Sequence, residues 1–397
     1  MGQYWQFINI DRRQTMDTVG LKLGEIIHWT DPTTLIELLA IPRKPKPYER
    51  SIEQGHSKDT RDLGALDIPF DVLVRIFAII DHEDILDAAC LALTNSFLRV
   101  IGQKRMYDEL LAYHAPWHLE RIICVGDYLQ GDDLPPNILK EHEKESLSGD
   151  FPDSEYGPHG ARLYHAGDTW INISYPKTLW RKRTSVTKGR LSGAERREVH
   201  NMVRADFSWD GRRETEWILC NWTRAEYVRT SGVARLTDSA IDGPWTDNFL
   251  SLGHVLLTQI CWSSDPSIAM AYEGPLHRGR WAGHYIAITT VDQLTENISF
   301  SAKKNWVDVT KEVIAQVLEI WRADDPRVLA PHLRLKGADD ASDSIPDATD
   351  EEDRVQSEED PEAADKGALA GGEVSGDRGE DGASKDGDNG TSGDEER

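Results

Sequence analysis

Two histidines four residues apart, His114 and His118, have the spacing that lets two imidazoles on one helix face share a metal ion. Pro116 lies between them and disfavours continuous helix, so they read as turn or surface residues. His277 and His284 flank Arg278, Arg280 and Trp281 beside Gly-rich turns, a set that could line a ligand pocket but reads more simply as a polar loop. Asp265 (SSDPS) and Asp168 (AGDT) sit among turn residues, where a carboxylate bonds nearby backbone rather than doing acid–base work. There is no Gly-rich loop ending in Gly-Lys-Ser/Thr, no Gly-x-Gly-x-x-Gly, no Gly-x-Ser-x-Gly and no His-Glu-x-x-His. The basic run from Lys177 to Arg190 groups six cations around Trp180, chemistry suited to a nucleic-acid backbone or an import signal. With no nucleic-acid fold around it and a net negative chain, it reads as a solvated loop. The expectation is a non-enzyme without cofactor or metal.

The stretch that carries a job is apolar rather than chemical. Between Leu63 and Ile101 the chain reads LGALDIPFDVLVRIFAIIDHEDILDAACLALTNSFLRVI. Pro69 pre-sets a helical φ and needs no amide partner at a first helical position. Val72, Leu73, Ile76, Phe77 and Ile80 then follow the period of one helical face, with Arg75 outside the stripe. Asp81 can cap a second helix, with Asp84 three residues on, whose stripe runs through Ile85, Leu86, Ala89, Cys90 and Leu93. Thr94-Asn95-Ser96 opens a third, through Phe97, Leu98, Ile101, Met106 and Leu110. Fewer than about 50 residues cannot hide this much apolar surface alone, so a partner or a neighbouring domain must cover the surplus.

In order and spacing this segment resembles the F-box, a three-helix module that docks on the Skp adaptor of cullin-based ubiquitin ligases. The residues that carry the resemblance are Ile68-Pro69, Ile76-Phe77, Asp84-Ile85-Leu86, the apolar pair Leu91 and Leu93, and Phe97. Ile68 stands where the family has Leu, and Phe97 where many members have Trp. Scattered blocks elsewhere (GQYW, ICVGDY with a downstream LPP, AEYVR, ICWSSDPS and a late helix ending Ile-Trp-Arg) are similar to fungal F-box-like proteins over most of residues 1–336. The resemblance implies a substrate-receptor subunit that binds a Skp-type adaptor, and through it a cullin, and presents a target protein. Ile68, Pro69, Val72, Leu73, Ile76, Phe77, Ile85, Leu86, Leu91, Leu93 and Phe97 are then the adaptor-binding or F-box core residues. The competing readings are a scaffold whose helical unit is ordinary core, and an enzyme hidden in the larger domain.

The 397 residues suffice for two or three domains. Of the net charge of −24, −17 falls in residues 337–397, with 22 acidic and 5 basic side chains, and −7 in the rest. That tail lacks aromatics and almost all large aliphatics, a composition too polar to offset chain entropy, so disorder is expected. Cys90, Cys124, Cys220 and Cys261 form no pairing pattern and suit free thiols in a cytoplasmic or nuclear protein. No apolar run reaches the roughly 20 residues of a membrane span.

The predicted organisation is α+β: a strand–helix arm (1–45), a Pro-rich linker (46–62), the F-box-like helices (63–110), a mixed α+β target-binding domain (111–336) and the acidic tail. GQYWQFINID, TWINISY, EWILCNW and GHYIAITTVDQL read as strands, and HVLLTQICW as strand or helix. TRAEYVRTSGV and DVTKEVIAQVLEIWRA read as helices, and HEKESLSGDFPDSEYGPHG as a polar loop.

Overall fold

Strand β1 (Trp5–Asn9) sends Trp5 and Phe7 to one side and Ile8 to the other, each into a separate core, which places it inside a sheet rather than at its surface. The computed structural model describes residues 2–16, 20–29, 32–45, 63–81, 84–130, 132–150, 159–173, 191–247, 250–296 and 305–324. The linker, the basic run and the acidic tail lie outside them. After β1 come β2 (Gln14–Met16) and helices α1 (Leu23–Trp29) and α2 (Thr33–Leu39), then the helical unit α3 (Phe70–Ile79), α4 (Ile85–Leu93) and α5 (Ser96–His114). Beyond them lie β3 (Glu120–Gly126), α6 (Glu141–Asp150), α7 (His159–Thr169), β4 (Ile171–Asn172) and α8 (Gly193–Val203). The chain continues through β5 (Trp217–Asn221), β6 (Glu226–Arg229), α9 (Thr230–Thr237), β7 (Ile241–Asp242), β8 (Trp245–Thr246) and α10 (Leu252–Ile260). It closes with β9 (Cys261–Trp262), β10 (His284–Thr290), α11 (Val291–Glu296), β11 (Val307–Asp308) and α12 (Thr310–Ala323).

The fold is mixed α+β, as expected. Its sheet runs β11-β6-β5-β10-β3-β1-β2-β4, with β9 alongside β3. The central strands are buried on both faces and therefore read as continuous apolar runs. Ile122, Cys124, Trp217, Leu219, Ile286 and Ile288 join Trp5 and Phe7 under α1, α2, α10 and α12. On the opposite face Ile8, Ile123 and Val125 meet Leu147 of α6 and Leu163 of α7. All four cysteines are free, and Cys124, Cys220 and Cys261 are buried. No described helix is long and apolar enough to cross a membrane.

Three local readings are corrected. AEYVR is strand, not helix: a hairpin with Ala225 at φ +55° and Asn221 Oδ1 accepting from the Arg224 amide turns β6 back on β5, and ladder pairing outweighs helical spacing. The supposed polar loop begins as α6, whose Glu143 accepts from the Lys140 amide and from Arg121 of β3, a guanidinium shared with Asp11 in the turn between β1 and β2. The ambiguous HVLLTQICW is helix first, with Ser251 and His254 in a capping arrangement, and becomes strand only at Cys261. Helices α1 and α8 have no counterpart among the elements expected from sequence.

Candidate docking face

Pro69 sits at the N-cap of α3 in an extended conformation, and its carbonyl accepts from the amides of Val72 and Leu73 at 3.0 and 3.2 Å. Leu73 and Phe77, one turn apart, are each 1% exposed, and Ile76 and Ile80 pack partly buried beside them. Arg105 of α5 donates to the carbonyls of Phe77 and Ile80, satisfying the end of α3 where a cation is favoured. Helix α4 buries Ile85, Ala88, Ala89 and Ala92. The regular helix has Asp84 at its N-cap, with no side-chain cap bond there, and the Asp84 amide donates to the Asp81 carbonyl. Asn95 caps α5 by accepting from the Phe97 amide at 2.8 Å.

The helices cross closely because Gly102 has no side chain: a Cβ there would lie 2.2 Å from Ala92 Cβ and 3.0 Å from Phe77 Cε1. Helix α8 closes the other flank. A Ser192–Glu195 capping box starts it, Val199 and Val203 are buried in the same core as Leu73 and Phe77, and Glu198 pairs with Arg99 at 3.2 Å.

Outside that core, α3 exposes Phe70 (54%), Val72 (42%), Val74 (41%) and Ile79 (80%). Phe70 meets the edge of Phe97 at 6.2 Å, and Val100 of α5 is also exposed. The residues of the F-box-like pattern therefore divide by role. Leu73, Phe77 and Ile85 are buried and hold the unit together; Ile68, Ile76, Leu86, Leu91, Leu93 and Phe97 are half-buried; Pro69 and Val72 face outward. Phe70, Val74, Ile79 and Val100 escape the sequence pattern, although apolar residues beside and beyond an amphipathic stripe are there to be counted.

The residues suspected of chemistry are otherwise engaged. His114 ends α5 with its ring edge-on to Phe207, and burial depresses its pKa to about 4. His118 bonds through Nδ1 to the Ala115 carbonyl, so the two do not act as a pair. Among the described residues no cluster of three or more His, Cys, Asp or Glu could hold a metal. Arg278 grips Asp133 with two bonds of 2.7 and 2.6 Å over the Trp262 ring. Arg280 pairs with Glu226 and Glu312, and His284 accepts from the Asn221 amide. Asp265 accepts from the Ser267 amide at 2.8 Å, the turn bond expected of it. The side chain of Asp168 lies outside the described residues.

The scattered sequence blocks converge. Buried Gln3 donates to the Asp265 carbonyl and accepts from Ser263 Oγ, and its amide lies where a Cβ on Gly126 would be. GQYW, ICVGDY and ICWSSDPS thus build one polar knot at the end of β3. No family model, no curated protein and no solved structure matches this chain.

Proposed function

We propose that the chain is a non-catalytic substrate receptor of an SCF-type ubiquitin ligase: the α3–α5 unit docks on a Skp adaptor and through it a cullin, and the sheet domain presents a target protein. Transfer of ubiquitin is then the work of other subunits. The observation that carries this reading is the set of four large apolar side chains that α3 leaves in water although the same helix has a fully formed core along its Leu73–Phe77 stripe. Exposed apolar residues occur singly on any surface, but α3 carries them on both flanks of its buried stripe, Phe70 and Val74 on one and Val72 and Ile79 on the other, more apolar surface than one short helix needs in water. Burying what each still exposes contributes about 1 kcal/mol or more.

The test uses the full chain with Phe70→Asp and Val74→Asp together. Capture of the Skp adaptor should be lost while the thermal midpoint stays within a few degrees of wild type. Undiminished capture would sink the proposal. Leu73 is unsuitable for this purpose, since a charge there attacks folding first. The scaffold reading draws on α8, which covers one flank of the unit with the protein's own chain; it requires that no adaptor co-purify with the wild-type protein.

A further inference from the structure

A groove of about 600 Å³ lies between the N-terminal arm and the segment after β9, lined by Gly2, Lys22, Ile268, Ala269, Met270 and Tyr272 among others. Its floor depends on close approach of backbone. A Cβ on Gly2 would fall 2.5 Å from Ala269 Cβ, and one on Gly24 2.7 Å from the Ala269 carbonyl oxygen, while Ala269 itself has φ +58°. The groove is thus a shape the chain holds open at some conformational cost.

Asp324, which follows the last turn of α12, is held beside the segment that lines this groove. Its Oδ1 accepts from the Ala271 amide at 2.7 Å and its Oδ2 pairs with His28 of α1. Asp324 is therefore bonded to the segment that lines the groove, through Ala271 between Met270 and Tyr272. The next residues of the chain are DPRVLAPHLRLK, 325–336, the last stretch with grouped large aliphatics before the acidic tail. At roughly 3.3–3.6 Å per residue, Arg327 can reach about 10 Å from Asp324 and Leu335 up to about 40 Å. Electrostatics discriminates between this stretch and the tail. The groove rim carries Glu273, and Glu319 lies near Tyr272, against Lys22. Arg327, Arg334 and Lys336 complement those carboxylates, whereas residues 337–397, at net −17, are repelled by them.

We infer that the groove is a docking site for the chain's own segment Arg327–Leu335, seated through Val328, Leu329 and Leu333. Short tethering supplies an effective concentration on the order of millimolar, so even weak intrinsic affinity keeps the site largely filled. This inference stands apart from the ubiquitin-ligase reading and can fail without it.

A benzophenone-bearing residue in place of Leu329 in the full-length chain, irradiated and mapped by mass spectrometry, tests it. Cross-links should concentrate in residues 266–274, and the same probe in place of Ser375 should not reach them. Glu273→Lys, on an exposed side chain, should cut the cross-link yield several-fold without shifting the thermal midpoint. Cross-links spread evenly over the surface, or a yield in Glu273→Lys equal to wild type, would overturn the proposal.

Discussion

Phe77→Ala and Phe70→Ala remove the same ring from the same helix, two turns apart, and should have opposite consequences. Phe77 is 1% exposed and wedged against Gly102 and the Ala92 side of α4, so its truncation opens a ring-sized cavity that the short Ala-rich α4 cannot refill. Losses of about 3–5 kcal/mol are typical of such a site, a large part of the roughly 5–15 kcal/mol that holds most domains folded. Phe70 is 54% exposed, and its one ring contact is the edge of Phe97 at 6.2 Å, an interaction worth about 0.5–1.5 kcal/mol. The assay is urea unfolding of each variant, followed by amide exchange across residues 70–114 to locate the loss, with adaptor capture measured in parallel. Phe77→Ala should lower the midpoint and deprotect all three helices together; Phe70→Ala should leave stability nearly intact and weaken capture. If Phe77→Ala cost under about 1 kcal/mol, or Phe70→Ala above about 2, the division of α3 into a buried centre and an exposed N-terminal end would be wrong.

Gly102→Ala should destabilise by about 1–3 kcal/mol despite Ala's better helix propensity, because its Cβ would overlap Ala92; equal or raised stability in urea would contradict the crossing. Val203→Asp on α8 should cost more than about 4 kcal/mol and expose Leu98 and Ile101 to exchange, since it puts an unpaired carboxylate into the core shared with α4 and α5. Stability should also fall below neutral pH. Burial holds His254 at about 3 and His114 at about 4, below the usual 6.5, so the unfolded chain binds more protons between those values and 6.5. The stabilisation is complete above about pH 6.5 and each group forfeits about 2 kcal/mol by pH 5; a urea midpoint unchanged from pH 7 to pH 5 would refute the assignment, and His114→Asn should flatten the slope.

The strands of the sheet centre are legible in the sequence because ICV and WILC are buried on both faces and therefore carry no polar alternation. AEYVR misleads because it runs without a break into the helix that opens at Thr230: Tyr227 and Val228 suit a strand, and the pairing against β5 sets the boundary that the sequence does not mark. Helix α6 is illegible because its sequence has no apolar periodicity; it is held by Glu143 on Arg121, a pairing between residues 22 apart. Helix α8 carries Val199, Met202 and Val203 at helical spacing, but amid so many charges that nothing marks which neighbour they meet. The inward stripe of α3 is plain, yet periodicity locates a face and does not say how far along the helix, or round its flanks, the cover extends. Phe70, Val74 and Ile79 acquire meaning only when the three-dimensional packing leaves them bare.

The receptor role proposed above requires position to be transmitted between an adaptor and a target, and α5 is the element that would do so. At 19 residues it is about 28 Å long. Its first turn bears Phe97 and Val100 beside the exposed face of α3. Its last turns enter the sheet layer: Leu111 packs against Ile41 and Ala287, and Tyr107 donates to the Pro42 carbonyl, which also accepts from Gln293. Two further bonds from Arg43, to the carbonyls of Asp206 and Ser208, tie this junction to the segment that follows α8. The helical unit is therefore braced at both its covalent exit and its α8 flank, and motion between the docking face and the sheet requires breaking contacts at both. A flexible tether would have needed only the polypeptide; this arrangement spends buried surface to fix an angle.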